Sequence, residues 1–221
     1  MACNIFINHF SLYTLYKEGM LEDVLENADN IYCDGMLLVN QLNILLGWEI
    51  KRFSFDWSSV AEEVILKYSS QNGILFWGGE KDSESDFLNH LSEDKGLNNI
   101  VCLNGFTYSL EDITSHVDNI NPSAIVIGRG TPLQEKNAVA ISNTNKKIDV
   151  YTCGGFISQV SSFGDIYGGI YSWVPRWLSR MIRQPFVIKR ILCVYPLSFI
   201  LVFKLTNLLK KNAHKFKTFG L

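Results

Sequence analysis

Through residues 3–155 the chain alternates short, almost wholly apolar runs with longer segments whose apolar positions recur near a 3.6-residue period. The short runs are CNIFI (3–7), NIYCDG (30–35), GILFWGG (73–79), NIVCLNG (99–105), SAIVIGRG (123–130) and KIDVYTCGG (147–155). Apolar runs of this length read as strands buried on both faces. The segment 10–28 reads as one helix, with Leu12, Leu15, Tyr16, Met20, Leu21, Val24 and Leu25 on period. Further helices are predicted over 36–46, 58–68, 82–93 and 109–119, with another from about 132, while IKRFSFDW (50–57) reads as strand or loop. This alternation predicts an α/β fold, a Rossmann-like, mostly parallel sheet flanked by helices.

Several strands end in a polar or glycine cluster: Asp34-Gly35, Gly78-Gly79, Gly128-Arg129-Gly130 and Cys153-Gly154-Gly155. Ligands of open α/β sheets bind outside the carboxyl ends of the strands, so these clusters should line one rim. Asp34 there can serve as a general base or as an ordinary turn aspartate. Asn8 and Arg52 can bind hydroxyls and phosphate, or satisfy loop backbone. Gly128, Gly130 and Thr131 can present backbone N–H groups to an anion. Thr131 is a candidate N-cap, Pro132 suits the first turn, and Glu135 gains from the helix dipole. None of this gives Gln134 a use. The four histidines show no metal spacing, so no metal site is expected.

Charge divides the chain. Residues 1–165 carry 10 Lys/Arg against 22 Asp/Glu, whereas residues 166–221 carry 10 Lys/Arg and no acid. The uncharged stretch 191–203 contains Pro196 and is too short to span a bilayer, which needs about 20 apolar residues. Basic and apolar residues mixed in this way suit a segment lying on an anionic membrane surface. The alternatives are a re-entrant hairpin or a C-terminal helix packed on the domain with a solvated basic face. Nucleic-acid binding is not expected, because the interleaved apolar runs would be exposed in such an arm. These features divide the chain into a 1–172 core and a basic, helical 173–221 appendage. Five cysteines without a CxxC pair predict buried thiols in a reducing compartment. The N-terminus lacks a basic region followed by an apolar core, so the chain is expected in the cytoplasm.

Six stretches, in order, resemble the WecG/TagA/CpsF glycosyltransferases (glycosyltransferase family 26). They are CDG (33–35), KRFSFDW (51–57), ILFWGG (74–79), IGRGTPLQEKNA (127–138), CGGFISQ (153–159) and PRWLSRMIRQP (175–185). The Gly-x-Pro-x-Gln-Glu element is the most specific of them. The resemblance implies an inverting enzyme on the cytoplasmic face of the inner (plasma) membrane, peripherally bound. It would move a sugar, often of the N-acetylmannosamine type, from a UDP-sugar to a polyprenyl-diphosphate-linked sugar acceptor, building surface polysaccharide without a cofactor or metal. It implies Asp34 as base and Asn8, Arg52, Gly130, Thr131 and Gln134 as substrate-binding residues. Arg176, Arg180 and Arg183 would close over the diphosphate. Two positions depart from the family pattern: Phe6 where a threonine is frequent, and Ile157 where an acid is frequent. The alternative reading is a non-catalytic nucleotide-binding or scaffold subunit of a glycan assembly complex. Oligomeric state is open, a homo-oligomer included.

Overall fold

The computed structural model describes residues 1–94, 97, 99–163, 188 and 190–217. Six strands form one parallel sheet: β1 (Cys3–Ile7), β2 (Asn30–Cys33), β3 (Ile74–Gly78), β4 (Ile100–Asn104), β5 (Ala124–Gly128) and β6 (Asp149–Thr152). Their order is β2-β1-β6-β5-β3-β4. Alternate side chains of one strand enter different cores. Leu75 and Trp77 of β3 join Ile5, Ile7, Ile125 and Ile127 on one face, and Phe76 joins Phe6, Val126 and Tyr151 on the other. Burial on both faces is why these strands carry unbroken apolar runs.

The first core is closed by α1 (His9–Lys17), α2 (Leu21–Asn27), α3 (Met36–Leu46), α6 (Leu110–Ile120) and α7 (Leu133–Thr144). The second is closed by α4 (Ala61–Ser69), α5 (Glu84–Asn89) and α8 (Phe156–Phe163). The predicted helix 10–28 is two helices. Gly19 stands between them at φ +69°, a conformation that suits glycine past a helix end. The stretch 50–57 is loop, tied to β2 by one bridge between Cys33 and Arg52. Residues 90–94, predicted to continue α5, form a π-helical turn instead.

The described part of the tail folds back onto the domain. A π-turn (Arg190–Val194) leads into α9 (Tyr195–Lys204), then α10 (Thr206–Lys211). Helix α9 packs on α1 and α3. Leu201, Val202, Leu205, Leu209 and Phe216 enter the first core, and Phe216 bridges to Ile31 of β2. The opposite side of α9 leaves Leu197, Phe199, Ile200 and Phe203 exposed, and Met36 and Leu37 at the start of α3 are exposed too. Among the described residues no helix is long and apolar enough to cross a membrane. Cys3, Cys33, Cys102 and Cys153 are buried and unpaired, and burial pushes each thiol well above its ordinary range. Cys193 is exposed.

Candidate active site

Consecutive strands lead away from each other at the ends of β3 and β5: β3 runs on to β4 at one edge and β5 back to β6. A parallel sheet opens a crevice at such a point. A cleft of about 510 Å³ lies there along the carboxyl ends of the strands. Asn8, Asp34, Arg52, Gly130, Thr131 and Gln134 all line it, together with Asp56, Glu80, Phe106 and Arg129.

Asp34 follows β2 directly. Its backbone N–H donates to Ile7 O at 2.7 Å, which ties the turn to β1. Gly35 then takes φ +104° and starts α3. A Cβ on Gly35 would lie 4.0 Å from Asn8 Cβ, so the ends of β1 and β2 face each other across the turn. The Arg52 guanidinium donates to Asp34 Oδ1 at 3.3 Å and to Asp56 Oδ2 at 3.2 Å. The side chains of Asp34 and Arg52 are each 23% exposed, so this ion pair borders the cleft. Asp56 is more buried and is fixed further by the backbone N–H and hydroxyl of Ser58. One arginine thus holds two carboxylates, and only Asp34 reaches the open space appreciably.

Asn8 caps α1. Its Oδ1 accepts from Ser11 N at 3.0 Å, and its own N–H donates to Ser11 Oγ at 2.8 Å. Its Nδ2 has no partner among the described residues and remains as a donor at the rim.

The loop after β5 differs from its predicted form. Thr131 is not the N-cap of α7. Pro132 occupies that position, without a side-chain cap bond, and Thr131 Oγ1 donates instead to Glu135 Oε1 at 2.9 Å. Glu135 stands in the first turn as expected, but it is fully buried. Gln134 is 3% exposed; its Nε2 donates to Glu135 Oε1 at 2.8 Å and its Oε1 accepts from Gly154 N at 3.1 Å. Both polar ends of Gln134 are therefore engaged by protein, and it walls the cleft.

Two lining residues, Asp56 and Arg129, carry no role from sequence, and buried Glu135 behind the cleft wall carries only the helix dipole. Asp56 stands four residues after Arg52, a spacing that could have flagged an ion pair. Glu135 gives no sequence signal of burial. Arg129 lies over the indole of buried Trp77, its guanidinium carbon 4.4 Å from the ring centroid, and forms no ion pair among the described residues. Trp77 is itself fixed by a bond from Nε1 to Tyr108 O at 3.2 Å. Arg176, Arg180 and Arg183 lie outside the described residues.

The two departures from the family pattern have structural accounts. Phe6 is buried in an aromatic cluster, 5.0 Å from the Tyr32 centroid and 5.9 Å from that of Phe55. Ile157 is buried against the glycines ending β3 and β5; a Cβ on Gly79 would come within 2.9 Å of its Cγ2, and one on Gly128 within 3.0 Å of its Cδ1. Both positions serve packing here.

Two comparisons bear on identity. The sequence model of the Glycosyl transferase WecG/TagA/CpsF family matches residues 2–212. The chain is also 35% identical over 217 residues to a UDP-Gal:alpha-D-GlcNAc-diphosphoundecaprenol beta-1,4-galactosyltransferase of Shigella boydii, covering 93% of this chain and 86% of that protein. An all-parallel sheet with this rim, matched over nearly its whole length, leaves one assignment: the chain belongs to the WecG/TagA/CpsF family and is a glycosyltransferase.

Proposed function

We propose that the enzyme transfers a hexose, with inversion, from a UDP-hexose to a hydroxyl of a polyprenyl-diphosphate-linked N-acetylglucosamine during surface polysaccharide assembly. The observation that carries this reading is Asp34, a partly exposed carboxylate at a strand end, held by Arg52 at the edge of a cleft large enough for a nucleotide sugar. The galactosyltransferase of Shigella boydii supports galactose as the first donor to test, ahead of an N-acetylmannosamine sugar. A β product from an α-linked nucleotide sugar is an inversion, which a single displacement accomplishes.

In that displacement the acceptor hydroxyl oxygen bonds to the anomeric carbon. The bond from that carbon to the UDP oxygen breaks, and its electron pair leaves with UDP. Asp34 takes the hydroxyl proton. Arg52 keeps the carboxylate oriented, and Asn8 Nδ2 is placed to donate to a sugar hydroxyl. Arg176, Arg180 and Arg183 are proposed to meet the leaving diphosphate, where cationic donors are most effective.

A lipid-linked acceptor must reach Asp34 from a bilayer. The exposed Met36 and Leu37 follow Asp34 almost directly, and α9, which packs on α3, leaves its other, apolar face exposed. Both support peripheral attachment at the cytoplasmic membrane face, with Lys204 and Lys210 drawn to anionic lipid. The test is UDP release from a panel of UDP-galactose, UDP-glucose and UDP-N-acetylmannosamine with an N-acetylglucosaminyl-diphospho-polyprenol in vesicles. Galactose transfer with a β product is expected. No release from any of the three donors would overturn the reading.

A further inference from the structure

Two loops wall the cleft, Gly130-Thr131 after β5 and Gly154-Gly155 after β6. Gly130 and Gly154 both take positive φ, +71° and +58°, and a Cβ on either would meet nothing within 4 Å. Packing therefore does not fix these glycines at the cleft surface. Hydrogen bonds do: Gly130 O accepts from Gln134 N at 2.9 Å, and a chain of side-chain hydrogen bonds through Glu135 joins the two loops. Thr131 Oγ1 and Gln134 Nε2 both donate to Glu135 Oε1, and Gln134 Oε1 accepts from Gly154 N.

At the centre is a carboxyl with 0% exposure. Its second oxygen, Oε2, is buried without a partner, and no salt bridge reaches it among the described residues. An ionised carboxylate in that setting would cost several kcal/mol, whereas a protonated one keeps Oε1 as acceptor for both donors. Burial pushes the Glu135 carboxyl up, against the opposing pull of the bonds from Gln134, its own backbone and Thr131. An acid of this kind gains nothing from the helix dipole, so its place in α7 needs another reason.

We infer that Glu135 is a positioning residue for sugar transfer: a buried neutral carboxyl that, through Thr131 and Gln134, sets the two glycine loops as adjoining walls of the donor site. The inference rests on the glycosyl-transfer reading given above. Misplacing a substrate wall by about 1 Å costs on the order of a hundredfold in rate.

The test compares Glu135→Gln and Glu135→Ala in the full chain. Glutamine is neutral, keeps an oxygen acceptor and matches the volume. It is expected to retain kcat/KM for the UDP-sugar within about threefold, with an unchanged pH profile from pH 6 to 8. Alanine is expected to lower kcat/KM by roughly a hundredfold and to speed hydrogen exchange at the Gly154 amide. Gln134→Ala should cost about the same, and the double variant no more than either alone. If Glu135→Ala does not fold, Thr131→Val removes one donor only and should cost roughly fivefold. Full activity in folded Glu135→Ala or in Thr131→Val would overturn the inference, as would Glu135→Gln failing as badly as alanine. An inactive wild-type enzyme would instead sink the transfer reading. Protection of Gly154 in wild type and Glu135→Gln, lost in Glu135→Ala, would still support the positioning network.

Discussion

The β2 end of the cleft and its β5 end solve opposite problems. At the first, Asp34, Arg52 and Asp56 are joined by one guanidinium, and Asp34 stays within reach of water. At the second, Thr131 and Gln134 donate to one oxygen of a fully buried Glu135, and Gln134 accepts from Gly154. An accessible carboxylate can take a proton; a buried one can only hold shape. The two ends also differ in what supports them from behind. The β2 end leans on the tail, where α9 packs on α1 and α3. The β5 end is braced by the start of α7 and by Gly154 after β6.

If chemistry belongs to the β2 end, its carboxylate carries the largest effect. Asp34→Asn keeps the size and loses the base, and transfer should fall by roughly a thousandfold while UDP affinity holds within threefold. Transfer at an undiminished rate by folded Asp34→Asn would move the base elsewhere and dissolve the contrast. Next in size is the membrane side of the same end. Glutamate at both Ile200 and Phe203, each at least half exposed, should cut binding to anionic vesicles by more than tenfold. Activity on a short, water-soluble acceptor should be unchanged. Equal vesicle binding by the double variant would remove the tail from that role.

Much of the sheet is legible because a strand buried on two faces has no choice but to be apolar, as ILFW and AIVI are. The six rim positions within the described residues were legible too, and they share one cleft. What failed was tertiary. The Tyr16-Met20-Leu21 periodicity runs through Gly19 as if the helix were continuous, and only the positive φ of that glycine divides it. The apolar stretch 191–203 looks like lipid-facing sequence throughout. Yet Leu201 and Val202 fill the core while Ile200 and Phe203 face outward, and a uniformly apolar run cannot show which side packs. Glu135 looks like a first-turn acid favoured by the helix dipole, because nothing in the local sequence separates that reading from burial. Arg129 and Trp77 meet through the β3–β5 pairing, which no local pattern announces.

The support behind the β2 end predicts a pH effect. His9 follows Asn8, is buried with its ring 5.6 Å from that of Tyr195 and 6.2 Å from that of Phe199, and shares a 3.0 Å hydrogen bond between Nδ1 and Ser198 Oγ. Burial lowers its imidazole to about 4. The unfolded chain therefore binds a proton below about pH 6.5 that the folded chain refuses. Stability from this group is whole above pH 6.5 and drains as pH falls toward 4, a loss of about 2 kcal/mol by pH 5. Unfolding free energies at pH 7 and pH 5 should differ by that much more in wild type than in His9→Gln. Equal pH dependence in the two would separate the tail from the β2 end.

The smallest effect probes the far end. Two strands, β1 and β6, separate β2 from β5, so their ends lie roughly 14 Å apart. A nucleotide sugar with its anomeric carbon at Asp34 would extend its nucleoside toward Arg129. That guanidinium is oriented by the Trp77 face and meets no carboxylate among the described residues, so its N–H groups are available to a ligand. Burial lowers its pKa from the ordinary arginine value, yet arginine stays charged in neutral solution. Arg129→Ala should weaken UDP binding by about tenfold, the scale of one charge-assisted hydrogen bond. The KM for the lipid-linked acceptor should not move, because the acceptor enters at the other end. Arg129→Lys keeps the charge, loses the planar stack and should fall between the two. A rise in acceptor KM with UDP affinity intact would reverse the orientation of donor and acceptor in the cleft, and the β5 end would then face the lipid-linked substrate.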